Sequence, residues 1–254
     1  MNTFAVRPRL PHKNEEHEIR LIVGAAEDRY EGWLATDKTT LNLVRQSDWA
    51  SLLKPNSVHA ILAEHVWEHL NSRDAIRAAR NCFKYLAPGG YIRVAVPDGL
   101  HPDPAYIRHV EPGGSGAGAE DHRVLYTYRT LMTVFASVGF DITLLEYFSE
   151  NGVFHYHEWN PDDGMITRSK RFDWRNATRE LTYTSIILDA RKPISSTNAT
   201  SRVRTRGPVL PRPLILPAVA VSLAALALCF LRSNLWRLWD RIQKPPTVRV
   251  RVGG

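Results

Sequence analysis

The sequence predicts an α/β chain: a doubly wound sheet, mostly parallel, with an antiparallel final strand. Three observations lead there. Residues 58–98, VHAILAEHVWEHLNSRDAIRAARNCFKYLAPGGYIRVAVPD, read as strand, helix and strand in order. Two shorter apolar runs, 19–23 and 33–36, come before them. Two more, 141–148 and 184–190, follow a helical pattern at 123–138. A strand, crossover helix and parallel strand form a right-handed unit whose ligands bind beyond the carboxyl ends of the strands.

The first strand, 19–23, ends at Gly24, so its loop begins Gly24-Ala25-Ala26-Glu27. A glycine there lets backbone approach a bound molecule; taken alone it is an ordinary turn. The run 33–36 ends in Asp37. A carboxylate at that strand end can accept two hydrogen bonds from ribose hydroxyls; by itself it reads as a cap or turn residue. About two helical turns of ~3.6 residues fit between them, so the first crossover is shortened. A third apolar stretch, 41–44, precedes Asp48-Trp49, where Asp48 alone would cap a helix.

The run 58–63 is continuous and apolar, as in a strand buried on both faces. Ala75, Ile76, Ala79, Cys82, Phe83 and Leu86 fall at helical spacing over 73–86. A tight Pro88-Gly89-Gly90 turn leads to the strand 91–96, and Pro97-Asp98 stops it. Glu64, His65 and Asp98 stand at strand ends, and polar groups on so apolar a scaffold mark a small-molecule site. The helical pattern 123–138 closes at Gly139. Residues 99–121, packed with Pro, Gly and His, read as a lid loop. Residues 151–182, with Trp159 and Trp174, read as an insertion or long hairpin loop.

The segment 58–98 resembles the fourth strand, following helix and fifth strand of class I S-adenosylmethionine-dependent methyltransferases. The likeness lies in Glu68-His69-Leu70 and Leu86-Ala87-Pro88-Gly89-Gly90, and is nearest to the methyltransferase type 11-like chains, in a predicted subgroup with a shortened N-terminal half. Gly152-Val153-Phe154-His155 and Ile166-Thr167-Arg168-Ser169 extend the resemblance over about residues 18–192. It implies a Rossmann-like sheet and a cofactor, S-adenosylmethionine, held by Gly24, Ala26, Asp37, Asp48, Trp49, Glu64 and His65. The family has a second glycine where this chain has Ala26. His101, His109 and His122 lie on or at the end of the lid, and His122, just before the next helix, is the expected general base.

His65-Val66-Trp67-Glu68-His69 matches the H-x-x-E-H zinc pattern. At a strand-to-helix junction it is expected to fix the helix start, with no metal bound. Two Asn-Ala-Thr acceptors, at Asn176 and Asn198, are set aside because residues 1–17 have no apolar core and no signal-peptide pattern. Two cysteines, Cys82 and Cys229, give no disulfide framework, which suits a reducing compartment. The formal net charge of +7 comes largely from arginines beyond residue 191, and no aromatic-interleaved basic patch points to nucleic acid.

The chain divides into a disordered N-terminal segment (1–17), the methyltransferase-like domain (18–192), a flexible linker (193–213), a transmembrane helix (214–231) and a basic amphipathic tail (232–254). Residues 214–231 carry no charge, and at ~1.5 Å per residue they cover most of a ~30 Å hydrocarbon core. Trp236 and Trp239 suit the interface beyond. The expectation is a single-pass C-terminal membrane anchor with the domain facing the cytosol, where the cofactor is found. The methyl acceptor stays open among glycan, lipid headgroup, small metabolite and protein. Beside the methyltransferase stand a catalytically silent binding or scaffold module, prompted by Ala26, and a nicotinamide oxidoreductase, disfavoured by the missing G-x-G-x-x-G.

Overall fold

The computed structural model describes residues 18–177 and 181–194. The N-terminal segment, most of the linker, the membrane span and the basic tail expected from the sequence lie outside them.

The elements are β1 (Ile19–Val23), β2 (Leu34–Thr36), α1 (Gln46–Leu52), β3 (Val58–Glu64), α2 (Ser72–Tyr85), β4 (Leu86–Pro97), α3 (Pro104–Val110), α4 (Tyr128–Ala136), β5 (Asp141–Phe148), β6 (Phe154–Tyr156) and β7 (Ser185–Arg191). They form one seven-stranded sheet in the order β2-β1-β3-β4-β7-β5-β6. β2, β1, β3 and β4 pair in parallel. β7 runs antiparallel between β4 and β5, so those two point the same way. The antiparallel last strand is as the sequence predicts. β6, an edge strand paired with β5, arises within the stretch expected to be loop.

Strand alternation divides the core. Leu21, Ile61, Ala63, Val94 and Leu188 face one side, where they meet Trp49 of α1, the Ala78 and Cys82 side of α2, and Leu131 and Phe135 of α4. Ile22, Leu62, Ala95 and Ile187 face the other. There the expectation of a doubly wound sheet is corrected: among the described residues Trp159, Ile166 and Phe172 cover that face, from a segment with only two short 3-10 turns, Pro161–Asp163 and Trp174–Asn176.

Buried polar groups hold that irregular cover in place. Arg93 sits opposite Asp189 in the β4–β7 register and pairs with it through Nε (2.8 Å) and Nη2 (2.9 Å). Its Nη1 donates to the carbonyls of Asn160 and Gly164. Glu146, fully buried, accepts from Trp159 Nε1 and Lys170 N, and burial raises its pKa. A backbone without regular ladders needs such partners for its N–H and C=O groups.

Three further elements differ from expectation. α4 starts at Tyr128, not at 123, because Thr127 and Thr130 form a reciprocal cap and the preceding residues are bonded elsewhere: Arg123 and Val124 donate their N–H groups to Glu68 O. Pro88-Gly89-Gly90 lies inside β4, where Gly89 and Gly90 exchange backbone bonds with Lys192. A Cβ on Gly90 would stand 2.9 Å from the carbonyl oxygen of His59, so only glycine fits. The expected lid over 99–121 is built structure, with α3 and a 3-10 turn at Ala119–Asp121. Gly114 and Gly116 let its backbone fold against the carbonyls of Arg108 and His109.

Candidate functional site

A cleft of about 510 Å³ opens beyond the carboxyl ends of β1 and β3, where a parallel sheet places its ligands. A second pocket of about 660 Å³ adjoins it on the α1 side and shares Gly24, His65 and His69 with it.

The floor between them is strained backbone. Gly24, Ala26 and His65 all have positive φ, at 63°, 45° and 53°. A Cβ on Gly24 would lie 2.7 Å from Val66 Cγ2, so the β1 loop passes too close to the β3 loop for any side chain. Ala26 keeps the left-handed backbone that glycine would take without strain, at a cost of ~1–2 kcal/mol for a residue with a Cβ. Positive φ at a non-glycine residue concentrates at functional sites. Asp37, at the end of β2, closes the loop by accepting the Ala26 N–H through Oδ1 at 3.2 Å. Gly24, Ala26 and Asp37 are therefore brought together in one loop.

Asp48 and Trp49 are not. Trp49 has no exposed surface, donates its indole N–H to Leu43 O and stacks on Tyr85 at 5.3 Å. It is a pillar of the core and cannot touch a ligand. Asp48 accepts the Asn42 N–H and the Ser47 hydroxyl. Both residues act behind the pocket wall, which is made by residues 41–44 themselves. Asn81 of α2 fastens that wall by a second bond to Leu43 O at 2.7 Å.

Glu64 and His65 line the cleft, but the Glu64 carboxylate and His65 Nε2 are engaged by the protein. The Glu64 carboxylate receives the N–H groups of Thr167 and Arg168 at 2.9 and 2.7 Å. It is a clamp for the irregular segment, so the expected role as cofactor ligand is corrected. His65 Nε2 meets Ser185 Oγ at 3.0 Å and its Nδ1 stands 3.1 Å from Glu68 Oε1.

His122 lines the cleft with its side chain 7% exposed, and Nδ1 lies 2.7 Å from Val110 O. That carbonyl only accepts, so Nδ1 carries the proton and Nε2 the lone pair. His109 also lines the cleft. His101 does not: it is buried between Tyr106, stacked at 4.0 Å, and Phe148, and burial lowers its pKa to about 4. Asp98 is buried too, bonded to Leu100 N and Phe148 N, with its pKa raised by burial to about 6.

Sequence reasoning missed Arg168, Asp173, Arg175 and Tyr183, which wall the cleft on its far side. Arg175 pairs with Asp173 and lies 3.3 Å over the Tyr183 ring. Their only signal was the Ile166-Thr167-Arg168-Ser169 resemblance. The expected helix start at Glu68 and His69 is also corrected: residues Trp67–His69 form a 3-10 turn and Asn71 caps α2 through its bond from Asp74 N.

The sheet has one reversed strand, β7, set between β4 and β5. A scan against protein-family models and a search of curated proteins give no match. Among solved structures, the chain is similar to an S-adenosylmethionine-dependent methyltransferase from Archaeoglobus fulgidus, at 13% identity over 70% of this chain and 87% of that one, with a TM-score of 0.39. It is similar also to one from Mesorhizobium loti, at 15% identity over 70% and 94%, TM-score 0.39. A third is Haemonchus contortus phosphoethanolamine N-methyltransferase 2 in complex with S-adenosyl-L-methionine, at 12% identity over 71% and 50%, TM-score 0.36. At these scores the likenesses carry no argument about activity.

Proposed function

We propose that the protein is an S-adenosylmethionine-dependent methyltransferase acting on an oxygen or nitrogen acceptor. One observation carries the reading. Gly24 with its left-handed backbone borders both the cleft and the pocket walled by residues 41–44, and Ala26, tied to Asp37, borders the cleft beside it, an arrangement suited to a nucleoside with a charged tail. Asp37 would take the ribose hydroxyls, residues 41–44 the base, and the Gly24 turn the amino-acid end.

The chemistry asks little of the protein. The sulfonium already makes the methyl carbon electrophilic, so catalysis is alignment and removal of one proton. Bound there, the cofactor would supply its methyl group to the acceptor lone pair and leave with the C–S electron pair on sulfur. The acceptor proton goes to the Nε2 lone pair of His122. The acceptor would enter from the side of Arg168 and Arg175 and belongs to the small-molecule, glycan or lipid classes, not to nucleic acid. The uncharged run 214–231 supports membrane attachment as a single span with the domain toward the cytosol.

A second reading, a binding module without catalysis, is favoured by the internal bonding of Glu64 and of His65 Nε2. Calorimetric titration of the purified protein with S-adenosylmethionine and with NAD tests the proposal. Micromolar binding of the first and none of the second is expected, and tight NAD binding would replace the methyltransferase with an oxidoreductase. Turnover in a methyl-release assay separates enzyme from module.

A further inference from the structure

We infer that Glu68, His69 and His122 bind a single divalent cation of the zinc type at the base of the cleft. One ligand atom from each lies within 4.8 Å of the others. The three come from two segments that the backbone holds together, since Glu68 O accepts both Arg123 N (2.7 Å) and Val124 N (3.2 Å).

The unsatisfied atoms point to a ligand. Glu68 is 1% exposed, and neither carboxylate oxygen has a hydrogen-bond partner. His65 Nδ1 approaches Oε1 at 3.1 Å without forming a hydrogen bond, and His122 Nε2 stands at 4.0 Å. A buried carboxylate left this way is costly unless a charge pairs with it or a metal binds it. His69 Nδ1 is also buried and unbonded, with Asp121 Oδ2 no nearer than 3.7 Å. Two side chains of the cluster thus leave buried polar atoms without partners.

His122 has the arrangement of a metal-binding imidazole. Its Nδ1–H is fixed on Val110 O at 2.7 Å, which sets the tautomer and presents Nε2 as the ligand atom. Two imidazoles and one carboxylate are the donor set of open zinc sites, which keep a fourth position for water or substrate. Here that position faces the cleft that His69 and His122 line. Tetrahedral donors on a shell of ~2.0–2.2 Å are ~3.3–3.6 Å apart, so a cluster spread over up to 4.8 Å closes by up to about an ångström around the ion. This is a different set from the H-x-x-E-H pattern of the sequence: His65 turns to Ser185 and Glu68, outside the ligand set.

The inference stands apart from methyl transfer, because it concerns metal binding by the protein alone. It touches that reading at one atom: a cation would occupy the Nε2 lone pair that otherwise takes the acceptor proton, and would itself lower the pKa of a bound hydroxyl.

The full chain, purified without a histidine tag and stripped with chelator, is titrated with Zn²⁺ against a chromophoric competitor. One equivalent at submicromolar affinity is expected. Glu68→Gln, which keeps the side-chain shape, and His122→Ala should each weaken it at least tenfold, while His109→Gln in the same cleft should leave it unchanged. Co²⁺ loading should give visible bands that His122→Ala abolishes, with circular dichroism confirming that the variants fold. Well under one equivalent of zinc in the wild-type chain would overturn the inference. So would affinity unchanged in both ligand variants.

Discussion

The amide of Ala26 donates to Oδ1 of Asp37 at 3.2 Å, joining the ends of β1 and β2 across the loop where the cofactor is proposed to sit. Asp37 thus shapes the loop, and the proposed function also gives it the ribose hydroxyls. Asp37→Ala removes two charge-assisted bonds to a ribose of ~1.5–3 kcal/mol each, so S-adenosylmethionine affinity should fall at least tenfold by calorimetry. Ala26→Gly should instead raise stability by up to about 1 kcal/mol, because glycine adopts the left-handed backbone without strain; a urea melt checks this. Unchanged affinity in Asp37→Ala would remove the ribose assignment.

Arg93 pins the irregular cover to the sheet. Replacing it with methionine leaves Asp189 unpaired and the carbonyls of Asn160 and Gly164 without donors. A loss of about 3–5 kcal/mol is expected, with faster proteolysis around residues 157–177. Adding Asp189→Leu should recover much of the loss, since the second buried charge is then gone.

His101 should give stability a pH dependence of known sign. Its folded pKa of about 4 lies below the unfolded value near ~6.5, so the unfolded chain binds more protons between those limits. Stability from His101 therefore rises with pH across that window and is lost as pH falls through about 4. Asp98, raised to about 6, acts in the opposite direction over nearly the same range. The stability difference between wild type and His101→Phe isolates the first effect. It should grow by up to about 3 kcal/mol from pH ~4 to ~6.5, and no change across that range would show His101 to be indifferent to its burial.

Once an acceptor is in hand, His122→Ala should lower kcat by roughly 10²–10⁴-fold, the usual worth of a general base. Affinity for S-adenosylmethionine should stay nearly constant. A fully active variant would leave alignment as the whole mechanism.

The chain should sediment with membranes and resist carbonate extraction through residues 214–231. A chain ending at Lys192 should stay in the supernatant. Aspartates at Ala224 and Ala225 cost ~2.5–3.5 kcal/mol each at a bilayer centre and should release the longer chain. Recovery of the unaltered chain in the soluble fraction would exclude the span.

Periodicity made the strands and α2 legible, because each buries a face whose pattern repeats every two or 3.6 residues. The start of α4 was not, since 123–127 have helical spacing yet Arg123 and Val124 give their N–H groups to Glu68 O and Thr127 gives its own to Thr130 Oγ1. The second face of the sheet was also hidden: Trp159, Ile166 and Phe172 are too irregularly spaced to announce a layer. At the site, Gly24 and Asp37 were readable from strand ends. Trp49 misled because an aromatic after a pocket wall looks the same in sequence whether it faces the ligand or the core. The convergence of Glu68 with His122 joins positions 54 residues apart, and only the closed fold brings them within reach.

The place of β7 has a consequence for synthesis. It is the last strand of the sheet to leave the ribosome, yet it fills the gap between β4 and β5. Until residues 185–191 emerge, β4 and the β5–β6 hairpin each present an open edge to the cell, and such edges template pairing with other chains. The nascent protein must keep two apolar edges apart for nearly ninety residues after β4 ends at Pro97. A premature stop in that interval would yield an aggregating chain rather than a smaller folded one.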